Sequence, residues 1–256
     1  MLTRAKLLEI QKLKFKTERL KQGRFVIEGY KMIRDCMLMH PEKLEMIIIS
    51  PDQKLDFEIQ QIPCYTLDLN GFKRISNLVE PPGWLAVCKL HKPVCIPPQN
   101  PQAVTLYLDD IRDPGNFGTL LRLADWFGHT LLIASEHSCD VFNPKAIQAS
   151  MGACFRVDVI YCTLSEIINT WDNMPVIGAQ LHGENLFNSK LPPKSILVLG
   201  NESKGIDIEN QRLITHSRYI PALKSKGSES LNVAVAASVF LTELHRTDLK
   251  QSAFLS

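Results

Sequence analysis

Apolar residues along the chain fall into short blocks that switch between a helical period and continuous runs of strand length. Over residues 2–20, Leu7, Ile10, Leu13 and Leu20 separate from a set of lysines at helical spacing and Gly23 supplies a stop, so the pattern predicts one surface helix. Residues 24–28 then read as a strand, 30–39 as a helix, and 44–50 as an apolar strand ended by Pro51. Residues 62–67 and 84–90 give two further strands, with a Glu80-Pro81-Pro82-Gly83 turn between them. These blocks make a small α/β unit. Four prolines between Pro93 and Pro101 break the periodicity, which sets a first domain over 1–95, a linker over 96–102 and a second domain over 103–256.

In the second domain the alternation is regular. Strands are expected at 104–108, 130–134, 156–161, 176–179, 196–199 and 218–220, with helices at 117–127, 144–151, 164–170 and 208–214. A last helix begins near Asn232, where Val233, Ala236, Ala237, Phe240, Leu241 and Leu244 follow one face. Strands alternating with helices imply an α/β fold with a mostly parallel sheet covered on both faces. Ligands of such sheets bind beyond the carboxyl ends of the strands.

Composition narrows the function classes. No window of the 256 residues approaches the roughly 20 apolar residues of a membrane span, and the N-terminus lacks a secretory signal. The seven cysteines form no Cys-x-x-Cys pair and no histidines cluster at ligand spacing, so neither a disulfide framework nor a metal site is expected and a reducing cytoplasm fits. The net charge of +2 hides an asymmetry: residues 1–24 carry +6, leaving −4 for the rest. Lys12, Lys14, Lys16, Arg19 and Arg24 in that segment are candidates for contacting nucleic-acid phosphates, with a solvated helix face as the plain alternative.

Three segments place Gly, Asn, Ser and Glu directly after apolar strands. In LDDIRDPGNFGTLLR, Pro114 and Gly115 force a turn, Asn116 can cap the following helix, and Arg122 lies one to two turns inside it, able to reach back over an end that also favours phosphate. In VLGNESKGI, two glycines five apart resemble a phosphate-binding loop, but Lys204 precedes Gly205 and Ile206 follows it, which excludes the nucleoside-triphosphatase pattern. In IPALKSKGSESLNVAVAAS, a strand end enters a polar loop ahead of a helix of small residues. Each segment alone reads equally as an ordinary turn.

Their order and spacing carry more. Asn116-x-Gly118-x-x-x-Arg122, then Leu199-Gly200-Asn201-Glu202-x-x-Gly205, then Ile220-Pro221 with Ser230-Leu231-Asn232-Val233-x-Val235-Ala236, strongly resemble the SpoU/TrmH family of RNA 2'-O-ribose methyltransferases over residues 103–245. Gly183 to Leu186 adds to the match. Arg24-Phe25-x-x-Glu28-Gly29 after a basic helix looks like the small substrate-binding domain, related to ribosomal-protein folds, that many members carry.

The resemblance implies a C-terminal deep trefoil knot whose loops hold S-adenosylmethionine, a homodimer packed through the knotted regions, and ribosomal or transfer RNA as substrate. Carried over by position, Gly200, Ile220 and Leu231 contact the cofactor largely through backbone, with Ala179, Gln180 and Asn201 beside them. Arg122, Asn116, Glu202, Ser230 and Asn232 form the catalytic set. The family's proposed base corresponds to Arg122, but a guanidinium stays protonated, so a role in holding phosphate and stabilising negative charge fits better. The loop 222–229, with Lys224 and Lys226, is slightly longer than in many members. Two other readings stand beside this one: a catalytically silent RNA-binding or ribosome-assembly protein of the same fold, and a knotted methyltransferase acting on a base.

Overall fold

The computed structural model describes residues 2–57, 61–90, 104–188, 190–223 and 230–246. The expected linker over 96–102 and the lysines Lys224 and Lys226 lie outside the described residues. Two compact units emerge, one from residues 1–92 with 140–155, the other from 93–139 with 156–256.

In the first unit the single helix expected over 2–20 is two, α1 (Arg4–Lys12) and α2 (Lys16–Gln22). Burial explains the break: Leu13 is inserted into the core, and the Arg19 guanidinium donates to the carbonyls of Leu13 at 3.0 Å and Lys14 at 2.9 Å, which have lost their helical partners. Gly23 ends α2 in the left-handed region at φ 63°, as its position predicts. There follow β1 (Arg24–Glu28), α3 (Tyr30–Met39), β2 (Leu44–Ile49), β3 (Cys64–Thr66), α4 (Leu69–Ile75) and β4 (Trp84–Lys89). The strand order is β1-β4-β2-β3, antiparallel except for the parallel pair β2 and β3. Helix α4 had no counterpart in the sequence pattern, being two turns long; Asp68 caps it by accepting from the Gly71 amide at 2.8 Å.

Strand alternation splits the first unit's core in two. Phe25, Ile27, Ile47, Ala86 and Cys88 face one way with α3, while Val26, Met46, Ile48, Leu85 and Val87 face the other with Ile10, Leu13 and Phe72. Residues 140–155 complete the first of these clusters. Their helix α6 (Pro144–Ser150) contributes Ile147, Phe155 joins it, and the Phe142 ring lies 4.6 Å from that of Phe25.

The second unit runs β5 (Thr105–Asp109), α5 (Pro114–Trp126), β6 (Leu131–Ala134), β7 (Asp158–Tyr161), α7 (Leu164–Thr170), β8 (Val176–Asn185), β9 (Ile196–Gly200), α8 (Ile208–Gln211), β10 (His216–Tyr219) and α9 (Val233–Leu244). Its six strands are all parallel in the order β10-β8-β9-β5-β6-β7. Every residue of β5 is buried, as a sheet covered on both faces requires. The apolar face of α9, with Val233, Ala237, Phe240 and Leu241, is buried within the unit, where α9 packs on α5, β8 and β9.

Two elements differ from expectation near the strand ends. Helix α8 stops at Gln211 rather than 214, where the Gln211 amide turns back to the Ile206 carbonyl at 2.7 Å. Strand β8 is ten residues long and carries an excursion: Ser217 of β10 pairs with Gly178, but Arg218 pairs with Glu184, so residues 179–183 stand out of the ladder. Ser217 pins the excursion by donating to Gln180 Oε1 at 2.5 Å or the His182 carbonyl at 2.6 Å, and a Cβ on Gly183, at φ 126°, would strike it.

Candidate active site

The site is built at the carboxyl ends of β5 and β9, within the second unit. After β5 the chain turns sharply: Asp110 sits at φ 55°, and its carbonyl accepts the Asn201 amide at 2.9 Å. Asp110 also holds Arg112, Nε to Oδ1, at 2.6 Å. Asp109, 3% exposed, accepts the Asp207 amide at 2.7 Å. Burial lifts its carboxyl above the usual range, aided by the charges of Asp207 and Asp110 and opposed by hydrogen bonding from Asn210 and the Asp207 backbone.

Asp113, not Asn116, caps α5: its carboxylate accepts the Asn116 amide N–H at 2.8 Å, so the helix starts at Pro114. This corrects the expected start at 117 and frees the Asn116 side chain. That side chain donates from Nδ2 to Glu202 Oε1 at 2.6 Å and accepts at Oδ1 from Asn232 Nδ2 at 2.9 Å. Asn232 in turn caps α9, its Oδ1 accepting from Ala234 and Val235. One hydrogen-bonded chain therefore joins the three polar segments.

The turn carrying Glu202 is rigid for reasons unrelated to phosphate. Asn201 and Gly205 exchange both backbone hydrogen bonds, at 3.0 and 2.8 Å, and Asn201 Oδ1 accepts from the amides of Ser203 and Lys204. A Cβ on Gly200 would collide with the backbone of Gly205 and Ile206, and Gly205 adopts φ 72°.

Arg122 is exposed on the outer face of α5, with no hydrogen bond or ion pair among the described residues. Ser230 and Leu231 are exposed just before α9. Strand order places β9, β8 and β10 side by side, so Gly200, the start of the excursion at Ala179 and Gln180, and Ile220 share one rim of the sheet. In the first unit Lys12, Lys14 and Lys16 are exposed. Arg19 does not belong with them: it is 2% exposed, and its guanidinium lies 2.6 Å from Asp140. Arg24 is held by Glu45 at 2.7 Å. The sequence pattern passed over Asp109, Asp110, Asp113 and Ser217; the three aspartates in one strand-to-helix connection were the available signal.

Among the described residues no group of three ligating side chains could hold a metal ion, and no helix is long and apolar enough to cross a membrane. The sequence pattern of the SpoU rRNA Methylase family matches residues 103–242, which include all three joined segments. The chain belongs to the SpoU rRNA Methylase family. Residues 5–86 match the MRM3-like substrate binding domain. The 23S rRNA (guanosine(2553)-2'-O)-methyltransferase RlmP of Bacillus subtilis is 28% identical over 93% of this chain and 95% of its own length. Among solved structures, a TrmH-family protein from Porphyromonas gingivalis is 33% identical with a TM-score of 0.83, over 96% of this chain and 99% of that one. The SpoU methyltransferase AviRb of Streptomyces viridochromogenes, crystallised with AdoMet, shares the fold at 22% identity and a TM-score of 0.82, over 96% and 99% of the two chains.

Proposed function

We propose that this SpoU-family chain is an enzyme that transfers the methyl group of S-adenosylmethionine to a ribose 2'-hydroxyl of ribosomal RNA. The observation that carries this reading is the Asn232–Asn116–Glu202 chain, which ties together the three segments of the family pattern. The names of relatives such as RlmP support RNA ribose as the acceptor, and the AdoMet complex of AviRb supports the cofactor.

The rim formed by β8, β9 and β10 fits that cofactor. Adjacent parallel strands lie about 4.8 Å apart, so three carboxyl ends span roughly the width of a nucleoside. Backbone groups of Gly200, Asn201 and Ile220 would line it, with Leu231, Ala179 and Gln180 at its margins. Bound there, the cofactor supplies a sulfonium methyl already activated for displacement. The chain's work is then alignment and charge control. Arg122 remains a cation, holds the phosphate next to the target ribose and stabilises the developing negative charge on the 2'-oxygen, while the proton leaves to water or a phosphate oxygen. Asn116, Glu202 and Asn232 hold the loops in register, and Ser230 closes the rim next to Leu231.

The wider organisation follows from the same reading. Residues 1–95 serve as the RNA-binding domain, with Lys12, Lys14 and Lys16 on phosphates, and 103–256 as the methyltransferase domain. Its C-terminal part forms a deep trefoil knot, supported by β10 lying outside β8 while α9 packs back on α5 and β9. The enzyme works in the cytoplasm as a homodimer.

The deciding experiment incubates the purified chain with S-adenosylmethionine and a 23S rRNA transcript, then digests the RNA for nucleoside mass spectrometry. A 2'-O-methylated nucleoside is expected. A methylated base, or cofactor binding without product, overturns the reading.

A further inference from the structure

Strand β1 is an edge of the first unit's sheet, with β4 as its one strand neighbour. The Gly29 amide donates to the Trp84 carbonyl and the Gly23 carbonyl accepts from Leu90, so the odd-numbered residues of β1 pair with β4. The backbone N–H and C=O groups of Val26 and Glu28 therefore point toward the free edge. Both residues are buried, at 4% and 6% exposed, and those groups have no partner among the described residues. A buried strand edge left unpaired costs free energy unless something binds along it.

Along this edge lies a cavity of about 380 Å³, lined wholly by residues of the first unit. That volume is in the range of small-molecule sites. Its walls are apolar: buried Val26 and Ile147, half-buried Leu78, and Met151, whose flexible thioether is 45% exposed. The polar groups are few. The Glu28 carboxylate accepts from the Ser76 hydroxyl at 2.5 Å and from the backbone and side-chain amides of Asn77 at 2.7 and 3.3 Å. Those are three neutral donors for about four acceptor positions, and no cation among the described residues pairs with Glu28. On α6 the half-buried side-chain amide of Gln148 has no partner among the described residues, and Lys145, one turn earlier, is exposed and makes no ion pair among them.

We propose that this cavity binds a guanine base extruded from the substrate RNA. Sequence-specific RNA recognition takes unstacked bases by their Watson–Crick edges, and an extruded base is held in a pocket that its ring fills. Guanine presents adjacent N1–H and N2–H donors, which suit the remaining acceptor position of Glu28 and a strand-edge carbonyl, while its O6 accepts from the Gln148 amide. Adenine and cytosine set an acceptor nitrogen against the carboxylate, and uracil flanks its one donor with two carbonyls. Lys145 at the mouth takes a flanking phosphate. The proposal rests on the methyltransferase reading and places part of its substrate specificity, an unpaired guanosine, in the first unit.

The test uses the full chain and short uridine-tract RNAs carrying one central guanosine, inosine or adenosine, with binding read by fluorescence anisotropy. Inosine differs from guanosine only in lacking the 2-amino donor. Guanosine is expected to bind about 5- to 100-fold more tightly than either, the range of a base read by paired hydrogen bonds. Ala149→Leu fills the cavity without removing a hydrogen-bonding side chain, and it is expected to abolish that preference while leaving affinity for the plain uridine tract unchanged. Gln148→Ala is expected to weaken the preference, and thermal melting checks that both variants fold. Equal affinity for the three RNAs, or binding of none, overturns the proposal, as does a preference that survives both substitutions. None of these measurements needs methyl transfer: a guanosine preference in a chain that methylates no RNA would overturn the enzymatic reading and leave the base pocket standing.

Discussion

The side-chain amide of Asn116 donates to Glu202 at 2.6 Å, and this fixes which way round the amide stands. A carboxylate can only accept, so Nδ2 must face Glu202, leaving Oδ1 for the Asn232 amide at 2.9 Å. Asn116→Asp replaces the donor with a second carboxylate. It is expected to lower kcat/KM for methyl transfer about 10- to 100-fold, the loss of one hydrogen bond to a charged group at about 1.5–3 kcal/mol. Adding Glu202→Gln restores a donor and is expected to recover part of that loss; a double-mutant cycle of steady-state rates that shows no coupling would refute the link.

Gly200→Ala tests the rim. Its methyl would meet backbone rather than a movable side chain, so the 201–205 turn must shift. Overpacking of this kind costs about 1–3 kcal/mol in stability, and because the cofactor rim includes this residue, S-adenosylmethionine affinity should fall more than tenfold. Calorimetric titration alongside thermal melting separates the two effects.

Arg19 and the neighbouring lysines should behave oppositely. Removing the guanidinium in Arg19→Ala breaks a buried ion pair with Asp140 and the hydrogen bonds to the Leu13 and Lys14 carbonyls, and is expected to destabilise the fold by about 3–5 kcal/mol, read by chemical denaturation. Lys12→Ala, Lys14→Ala and Lys16→Ala should leave stability within about 0.5 kcal/mol. If each touches a phosphate, each should reduce the salt slope of RNA binding by about one.

His129 makes stability depend on pH. It is buried, its Nε2 lies 3.3 Å from that of His245, and burial first, then the adjacent imidazole, lowers its pKa from 6.5 to about 4. The folded state therefore binds fewer protons than the unfolded chain between those values. Stability is full above pH 6.5 and declines as pH falls toward 4, by up to about 3 kcal/mol. Urea unfolding from pH 7.5 to 4.5 should show a decline that His129→Gln flattens; equal slopes in both proteins would remove His129 as its cause.

What the sequence disclosed and what it hid have physical causes. The strands of the second unit were legible because both faces of a parallel sheet are buried, so β6 and β9 carry no polar side chain and β5 is polar only at its ends, Thr105 and Asp109. Residues 180–185 of β8 were not, because they lie in or beside an exposed excursion and carry the polar residues of a loop. The three site segments were legible through residue types and order, and their hydrogen-bonded union of Asn116, Glu202 and Asn232 followed. The capping role of Asp113 stayed hidden because Asn116, three residues on, is an equally good cap by type. Arg19 could not be told from its lysine neighbours, since the carboxylate that buries it is 121 positions away.

The contribution of residues 140–155 to the first core has a consequence for how the chain acquires its structure during synthesis. Phe142, Ile147 and Phe155 are translated after the first two strands of the other unit's sheet, β5 and β6, yet they close the cluster around Phe25 and Ile33. A ribosome that has released only residues 1–92 therefore exposes an unfinished hydrophobic wall, and the N-terminal unit matures after part of its neighbour rather than before it. Expression of the first 95 residues alone should yield an aggregating product, whereas a circular permutant that joins 140–155 directly to them should not.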